Sequence, residues 1–342
     1  MNTTEIGYLA LFANSCLATL RPVFFKSVDY NIINTLFISA IAFFLFSAGY
    51  IAYKYFTDKT YFKINDKTTP NILGLTANPI ENIFNPKMFG VSILSQIQFI
   101  SQYCSYLFLP VSIAIPLGSL GIFSVLFYSH YLNKTNIVLM DYIASIVSIF
   151  GIIILNWNKI WNNTVEAKSI SSTSYITGLG LVFVSIIVGG YVFVINKDIT
   201  DILTPMQTML NDSTGAVIFM SIIWIIYALI PAKTFKQTFP TIKQTFPSIT
   251  QSIYAFLFFF IVSNAALIFR FIGLDYLPEI TASLLLNVSV IISLIYGKLF
   301  FNEELTMTKI IGALVIILSV IMISVKDRPR VKSLTSHIDH LI

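Results

Sequence analysis

Residues 277–300 read LPEITASLLLNVSVIISLIYGKLF, residues 301–309 FNEELTMTK and residues 310–326 IIGALVIILSVIMISVK. This is an apolar run long enough to cross a bilayer, a short acidic turn, and a second crossing run; about 20 apolar residues suffice for one helix. The same plan occurs earlier, as LPVSIAIPLGSLGIFSVLFYSHYL at 109–132, NKTN at 133–136 and IVLMDYIASIVSIFGIIILN at 137–156. A shift of 168 positions superposes the two without a gap. Leu109-Pro110 falls on Leu277-Pro278, Ala114 on Ala282, Leu126 on Leu294, Tyr128 on Tyr296 and Val147 on Val315. The shift is close to half of the 342-residue chain, which reads as an internal duplication.

Composition agrees. The chain is 56% hydrophobic and 11% charged, against about 25% charged in soluble domains. The charges fall between apolar runs, so the net charge of +5 is read loop by loop and implies no nucleic-acid partner. Cys16 and Cys104 lie inside apolar runs and form neither a CxxC nor a zinc spacing, which makes them packing thiols. The first apolar run has no basic leader and carries Arg21-Pro22, so no cleaved signal is expected.

The fold expected is an all-α polytopic membrane protein of ten spans. They fall at 6–28, 33–53, 88–108, 111–132, 137–157, 175–195, 205–230, 252–273, 279–300 and 307–325. Residues 1–157 then form one five-helix repeat, interrupted by the polar loop 54–86, in which Asn78-Pro79 and Asn85-Pro86 predict irregular structure. A linker follows at 158–174, where Ser171-Ser172-Thr173-Ser174 is loop chemistry; then come a second repeat at 175–325 and a basic tail at 326–342. Five spans per unit is an odd number, so the second unit enters the membrane from the opposite side and the repeats are inverted. That architecture is common in secondary transporters, because two equivalent halves can exchange conformations. With the N-terminus inside, inner loops and tail hold eleven Lys and Arg and outer loops eight, which favours cytosolic termini.

The ninth span, turn and tenth span resemble the signature segment of the drug/metabolite transporter superfamily, EamA-like. The residues that carry the likeness are Ala282-Ser283-Leu284-Leu285, Leu294, Phe300 to Thr306 and Ile310-Ile311-Gly312-Ala313-Leu314. The first half departs from it at Leu132-Asn133-Lys134-Thr135, which lacks the acidic turn residue, while Ile115 to Leu120 is similar to the magnesium-transporter-like branch. The resemblance implies ten helices, cytosolic termini and a central solute cavity lined by spans one, three, four, six, eight and nine.

Polar residues inside spans are candidate site residues. A mid-bilayer charge costs about 2.5–3.5 kcal/mol on insertion scales, so Arg21 and Arg270 should pair, face a cavity or snorkel. Snorkelling would take Arg270 towards Asp275. Gln96, Gln98 and Gln102 recur in the third span, with Asn264 in the eighth and Asn287 in the ninth; interhelical hydrogen bonds would also account for them. Under the shift of 168, Gln102 meets Arg270 and Ser119 meets Asn287, which places each pair at one depth. The substrate-binding set expected is therefore Arg270, Gln102, Arg21, Asn264, Asn287 and Ser119. Tyr128 and Tyr296 read as interfacial anchors, and Glu303 and Glu304 as caps of the last helix. Asp141, near a span end, is read as the one carboxylate within a span.

No phosphate-binding glycine loop occurs, and His130, His337 and His340 have no catalytic partners in the pattern, so neither an ATPase nor another enzyme is expected. The function expected is secondary transport of a small organic solute, anionic or zwitterionic, by alternating access and without a cofactor. The partners expected are that solute and the lipid bilayer, with a homodimer admitted. A magnesium or other divalent-cation transporter is the second reading, and a membrane scaffold the third.

Overall fold

The computed structural model describes residues 3–27, 31–58, 73–76, 81–82, 85–109, 117–118, 120–155, 157, 172–230, 246–301 and 306–326. Among them there is no strand. The helices are α1 (Thr3–Ala18), α2 (Leu20–Ser27), α3 (Ile32–Thr57), α4 (Pro86–Phe108), α5 (Gly121–Asn133) and α6 (Leu139–Leu155). They continue as α7 (Ser172–Ile202), α8 (Pro205–Leu229), α9 (Ile249–Phe258), α10 (Asn264–Tyr276), α11 (Glu279–Leu286), α12 (Val288–Phe301) and α13 (Met307–Lys326). A π-turn, Phe259–Ser263, joins α9 to α10. Among the described residues five segments are long and apolar enough to cross a membrane: Ile32–Thr57, Tyr175–Ile202, Pro205–Leu229, Ile249–Tyr276 and Glu279–Phe300. Leu139–Ile154 and Met307–Met322 are shorter apolar helices. Large apolar side chains such as Leu9, Phe127, Phe150, Ile176, Leu229 and Leu314 face outward, as a bilayer-facing surface requires.

Local chemistry sets the ends. Asn31 caps α3 by accepting from the Ile33 N–H at 2.7 Å, and Asn85 accepts from Lys87 N–H at 2.9 Å with Pro86 at the first helical position. Asn85-Pro86 is thus a helix start and not the irregular stretch expected. Thr204 and Ser248 form capping boxes with Gln207 and Gln251. Pro22 lacks the N–H that would bond back to the turn at Ala18, and α1 ends there. The sixth span runs seven residues further than expected, because Lys197 and Asp201 pair at 2.7 Å one turn apart and extend α7 to Ile202. It also begins at Ser172, inside the tract read as loop.

The two Leu-Pro sites end their helices alike. Leu109 has φ −120° and ψ 145°, and Leu277 has φ −123° and ψ 148°; each N–H bonds back one turn, to Ser105 O and Gly273 O. The residue before proline is driven into this extended region. Glycines let another helix cross close by. A Cβ at Gly7 of α1 would lie 2.7 Å from Leu277 Cγ, and one at Gly178 of α7 would lie 2.6 Å from Leu109 Cγ. α1 packs chiefly on α10 and α7 on α4, a pair of contacts that the half-length shift interchanges. α3 packs on α8 through Asn31–Tyr227, Asn34–Trp224 and Ser47–Ser213 hydrogen bonds, which fix the two helices as antiparallel. α6 packs on α13, where Gly151 meets Gly312 and Ile316.

Polar ties gather the α5–α6 turn, the end of α7 and the Leu277 hairpin at one face. Asn133 Nδ2 donates to Asp198 at 2.9 Å, Thr135 Oγ1 donates to Glu279 at 3.0 Å, and Lys197 Nζ reaches Asp275 O at 3.4 Å. Gly7 lies against this hairpin, and Met322 shares an apolar cluster with Ile137 and Ile280. Glu303, Glu304, the linker up to residue 171, the tail after Lys326 and most of loop 54–86 lie outside the described residues.

Candidate functional site

Two adjoining cavities of about 230 and 250 Å³ occupy the middle of the bundle. Gln98, Gln102, Arg270, Leu286 and Ser289 line both and form the seam between them. The first is completed by Asn14, Ser15, Thr19 and Arg21 from α1 and α2 and their connection, and the second by residues of α5, α7 and α11, among them Ser185 and Ser283. On the side of the Leu277 hairpin, Leu11, Phe271, Leu274, Leu277 and Leu285 form one buried apolar cluster. The lining residues of α4 lie instead in the half nearer Leu109.

Gln102 and Arg270 are brought together. The Arg270 guanidinium carbon stands 5.2 Å from the centre of the Phe193 ring, a cation–π distance, and its Nε is buried without a hydrogen-bond partner. Its charge acts on Asp212 and Arg21, and the Lys197 ammonium, not Arg270, reaches the Asp275 carbonyl. Arg21 is held from the other side. Its Nε donates to Ser263 Oγ at 3.2 Å and its Nη2 to Ser263 O at 3.0 Å; it lies 5.9 Å from the Phe43 ring centre and hydrogen-bonds Tyr103. Both acceptors belong to Ser263, the last residue of the π-turn.

Asn264 reaches the same π-turn: its amide donates to Phe260 O at 3.0 Å and Ala42 O at 3.4 Å, away from the cavity lining. Asn287 lines the second cavity and donates to Ser148 Oγ at 2.8 Å. It stands where α11 gives way to α12, with Asn287 N–H bonded to Leu284 O and Val290 N–H to Asn287 O. A similar three-residue pattern occurs at Leu120, within one position of the repeat equivalent. Ser119 lies outside the described residues. Tyr296 is not a free anchor: its hydroxyl donates to Cys16 O at 3.2 Å. Asp141 accepts from Val138 N–H at 3.0 Å and closes the start of α6.

The sequence reading missed Asp212. It lies inside α8, in a narrow side pocket of about 30 Å³ that shares Arg21, Phe99, Tyr103 and Leu267 with the first cavity. One carboxylate oxygen bonds Ser95 and Oδ1 is buried without a partner. The signal was the polar run Asn211-Asp212-Ser213-Thr214 in an apolar span. Comparison of the halves hides it, because the repeat equivalent of Asp212 is Phe44. Also missed were Asn14, Ser15 and Thr19, short polar residues that look like ordinary helix interior. Among the described residues no group of three or more His, Cys, Asp or Glu is arranged to hold a metal ion.

No protein of curated function matches the chain in sequence. A solved crystal structure superposes with a TM-score of 0.64 over 97% of this chain and 99% of that one, at 14% identity. The likeness is one of fold, and it runs the length of both chains. The family model described as "EamA-like transporter family" matches residues 176–325, and does not reach the segment similar to the magnesium-transporter-like branch. Residues 176–325 are thus similar to the EamA-like transporter family, and the helices described above are those of an all-α, multi-pass membrane protein.

Proposed function

We propose that the chain moves a small anionic or zwitterionic metabolite across a membrane by alternating access, with the paired cavities as its binding site. One observation carries the reading: the half-buried Arg270 stands at the seam of a cavity built from both halves, with its Nε buried and without a hydrogen-bond partner. A guanidinium in that position is matched by a carboxylate or phosphate, which can take two parallel hydrogen bonds. Gln98, whose Oε1 is also buried without a partner, and Asn14 and Gln102 supply polar contacts.

Alternation is supported by the equivalent Leu-Pro ends, the paired glycine contacts and the interchange of the α1–α10 and α4–α7 packings under the shift. These fit ten spans in two inverted repeats of five, residues 1–157 and 175–325. The apolar cluster at the Leu277 hairpin and the polar ties beside it close one face of the cavity. The basic residues favour that face, where α1 begins and α13 ends, as cytosolic.

The test is a thermal-stabilisation screen of the purified chain against monocarboxylates, phosphate monoesters, amino acids and magnesium ion. Binding to the native state at 100 times the Kd stabilises it by about 2.7 kcal/mol. Stabilisation by carboxylates or phosphates, lost in Arg270→Ala, is expected. Stabilisation by magnesium alone would contradict the reading.

A further inference from the structure

We infer that Asp212 is a proton-binding site coupled to the cavity, so that a solute anion and a proton are carried together. This rests on the anion-binding reading of the cavity given above. Asp212 is reached from the first cavity through the side pocket, whose volume of about 30 Å³ is room for a water. Arg21 and Tyr103 belong to the walls of both spaces. Ser95 satisfies one carboxylate oxygen, and Oδ1 is buried with nothing to accept from. Asp212 and Arg270 act on each other electrostatically, yet among the described residues no salt bridge joins them.

The groups that surround Asp212 define its charge partners. α2 presents Arg21, α4 presents Tyr103, Gln96 and Ser95, and α10 supplies Arg270. α3 presents only Leu36, Ser39 and Phe43, and α7 lines no part of this pocket. Two guanidiniums and one carboxylate therefore share the site. While Asp212 is ionised it competes for the field of Arg270 with any anion that enters. Once protonated, it withdraws that competition, and Oδ1 can carry the proton that satisfies it. Anion and proton then bind with positive coupling, and each raises the affinity for the other by the same factor.

The sign follows from proton uptake. A complex that takes up one proton binds more tightly as pH falls, by about tenfold per pH unit on the alkaline side of the Asp212 titration. The probe is benzoate, a planar carboxylate suited to the guanidinium and to the aromatic rings of Phe99 and Tyr103. Benzoate is added to the purified full chain in weak buffer across about pH 5 to 8, and binding and proton uptake are read together. The wild type should take up a proton as it binds, with affinity falling at higher pH. Asp212→Asn should bind without proton uptake and with affinity independent of pH.

Equal proton uptake in Asp212→Asn, or pH-independent affinity in the wild type, would overturn the coupling. Loss of benzoate binding in folded Asp212→Asn would do so as well, since the carboxylate would then be holding solute. If benzoate does not bind the wild type, the anion reading fails separately, and labelling of the ligand-free chain decides the proton site. A hydrophobic carbodiimide couples to protonated buried carboxyls. An adduct on Asp212 that diminishes from acid to alkaline pH supports the site, and absence of an Asp212 adduct throughout refutes it. The same labelling decides if Asp212→Asn does not fold.

Discussion

Arg270 and Asn264 sit two turns apart on α10 and separate two uses of a polar side chain in a membrane helix. Asn264 spends its donors on backbone: Phe260 O within its own bent helix and Ala42 O across to α3. Asn264→Leu, which keeps the branched skeleton but offers no donor, should lower the melting temperature through the loss of hydrogen bonds worth about 0.5–1.5 kcal/mol each. Solute affinity should be unchanged, which uptake measurements on the same preparation would check. Each residue keeps one buried atom without a hydrogen-bond partner, Asn264 Oδ1 and Arg270 Nε, but of the two only Arg270 lines the cavities. Arg270→Lys preserves charge and loses the planar fork, and should weaken anion binding by about 1.5–3 kcal/mol, roughly 10- to 150-fold, in titrations of folded protein. Wild-type affinity in Arg270→Lys would remove Arg270 from the site. The sequence marked both residues as unusual, yet residue type alone did not divide them. The division depends on tertiary placement: Asn264 finds an acceptor in the π-turn at Phe260, while Arg270 faces the cavities.

At the scale of elements, the two Leu-Pro sites were the most readable. Leu-Pro gave the two hairpin starts, because the pre-proline restriction acts through local sterics and needs no tertiary partner. The extension of α7 past Lys197 and the break at Asn287 were not readable in that way. One rests on an i,i+4 ion pair formed at the expected stop, and the other on an Asn whose side chain finds Ser148 across the bundle. The α6–α13 crossing gives a direct test of packing. A Cβ at Gly151 would lie 2.9 Å from both Gly312 O and Ile316 N, and backbone cannot swing aside as a side chain can. Gly151→Ala should cost about 1–3 kcal/mol, read as a lowered denaturation midpoint, with solute affinity retained in the folded fraction. Unchanged stability would mean that the two helices lie further apart.

For the whole molecule, the echo between halves anticipated the matching α1–α10 and α4–α7 packings. It put Gln102 and Arg270 at one depth, where both line the same cavities. It could not reveal Asp212, Asn14 or Thr19, since residues that break the symmetry are invisible to a comparison of repeats. Transport by exchange of the two halves requires the tied face to open. Thr135 on the α5–α6 turn and Glu279 at the start of α11 are held at 3.0 Å across that face. Thr135→Cys combined with Glu279→Cys, joined by a short cleavable bifunctional reagent, should stop solute uptake and restore it on cleavage. Uptake that persists in the linked protein would show that this face need not part.

The sidedness of Leu139 and Met307 tests the inverted arrangement most directly. They are equivalent under the shift of 168, begin α6 and α13, and are 72% and 73% exposed. Single cysteines placed there, in a chain with Cys16 and Cys104 replaced, are treated with a membrane-impermeant maleimide in sealed vesicles of one orientation. Inverted repeats predict that one position reacts from outside and the other only after the membrane is opened. Reaction of both from the same side would contradict the inversion, and with it the exchange of halves on which the transport mechanism stands.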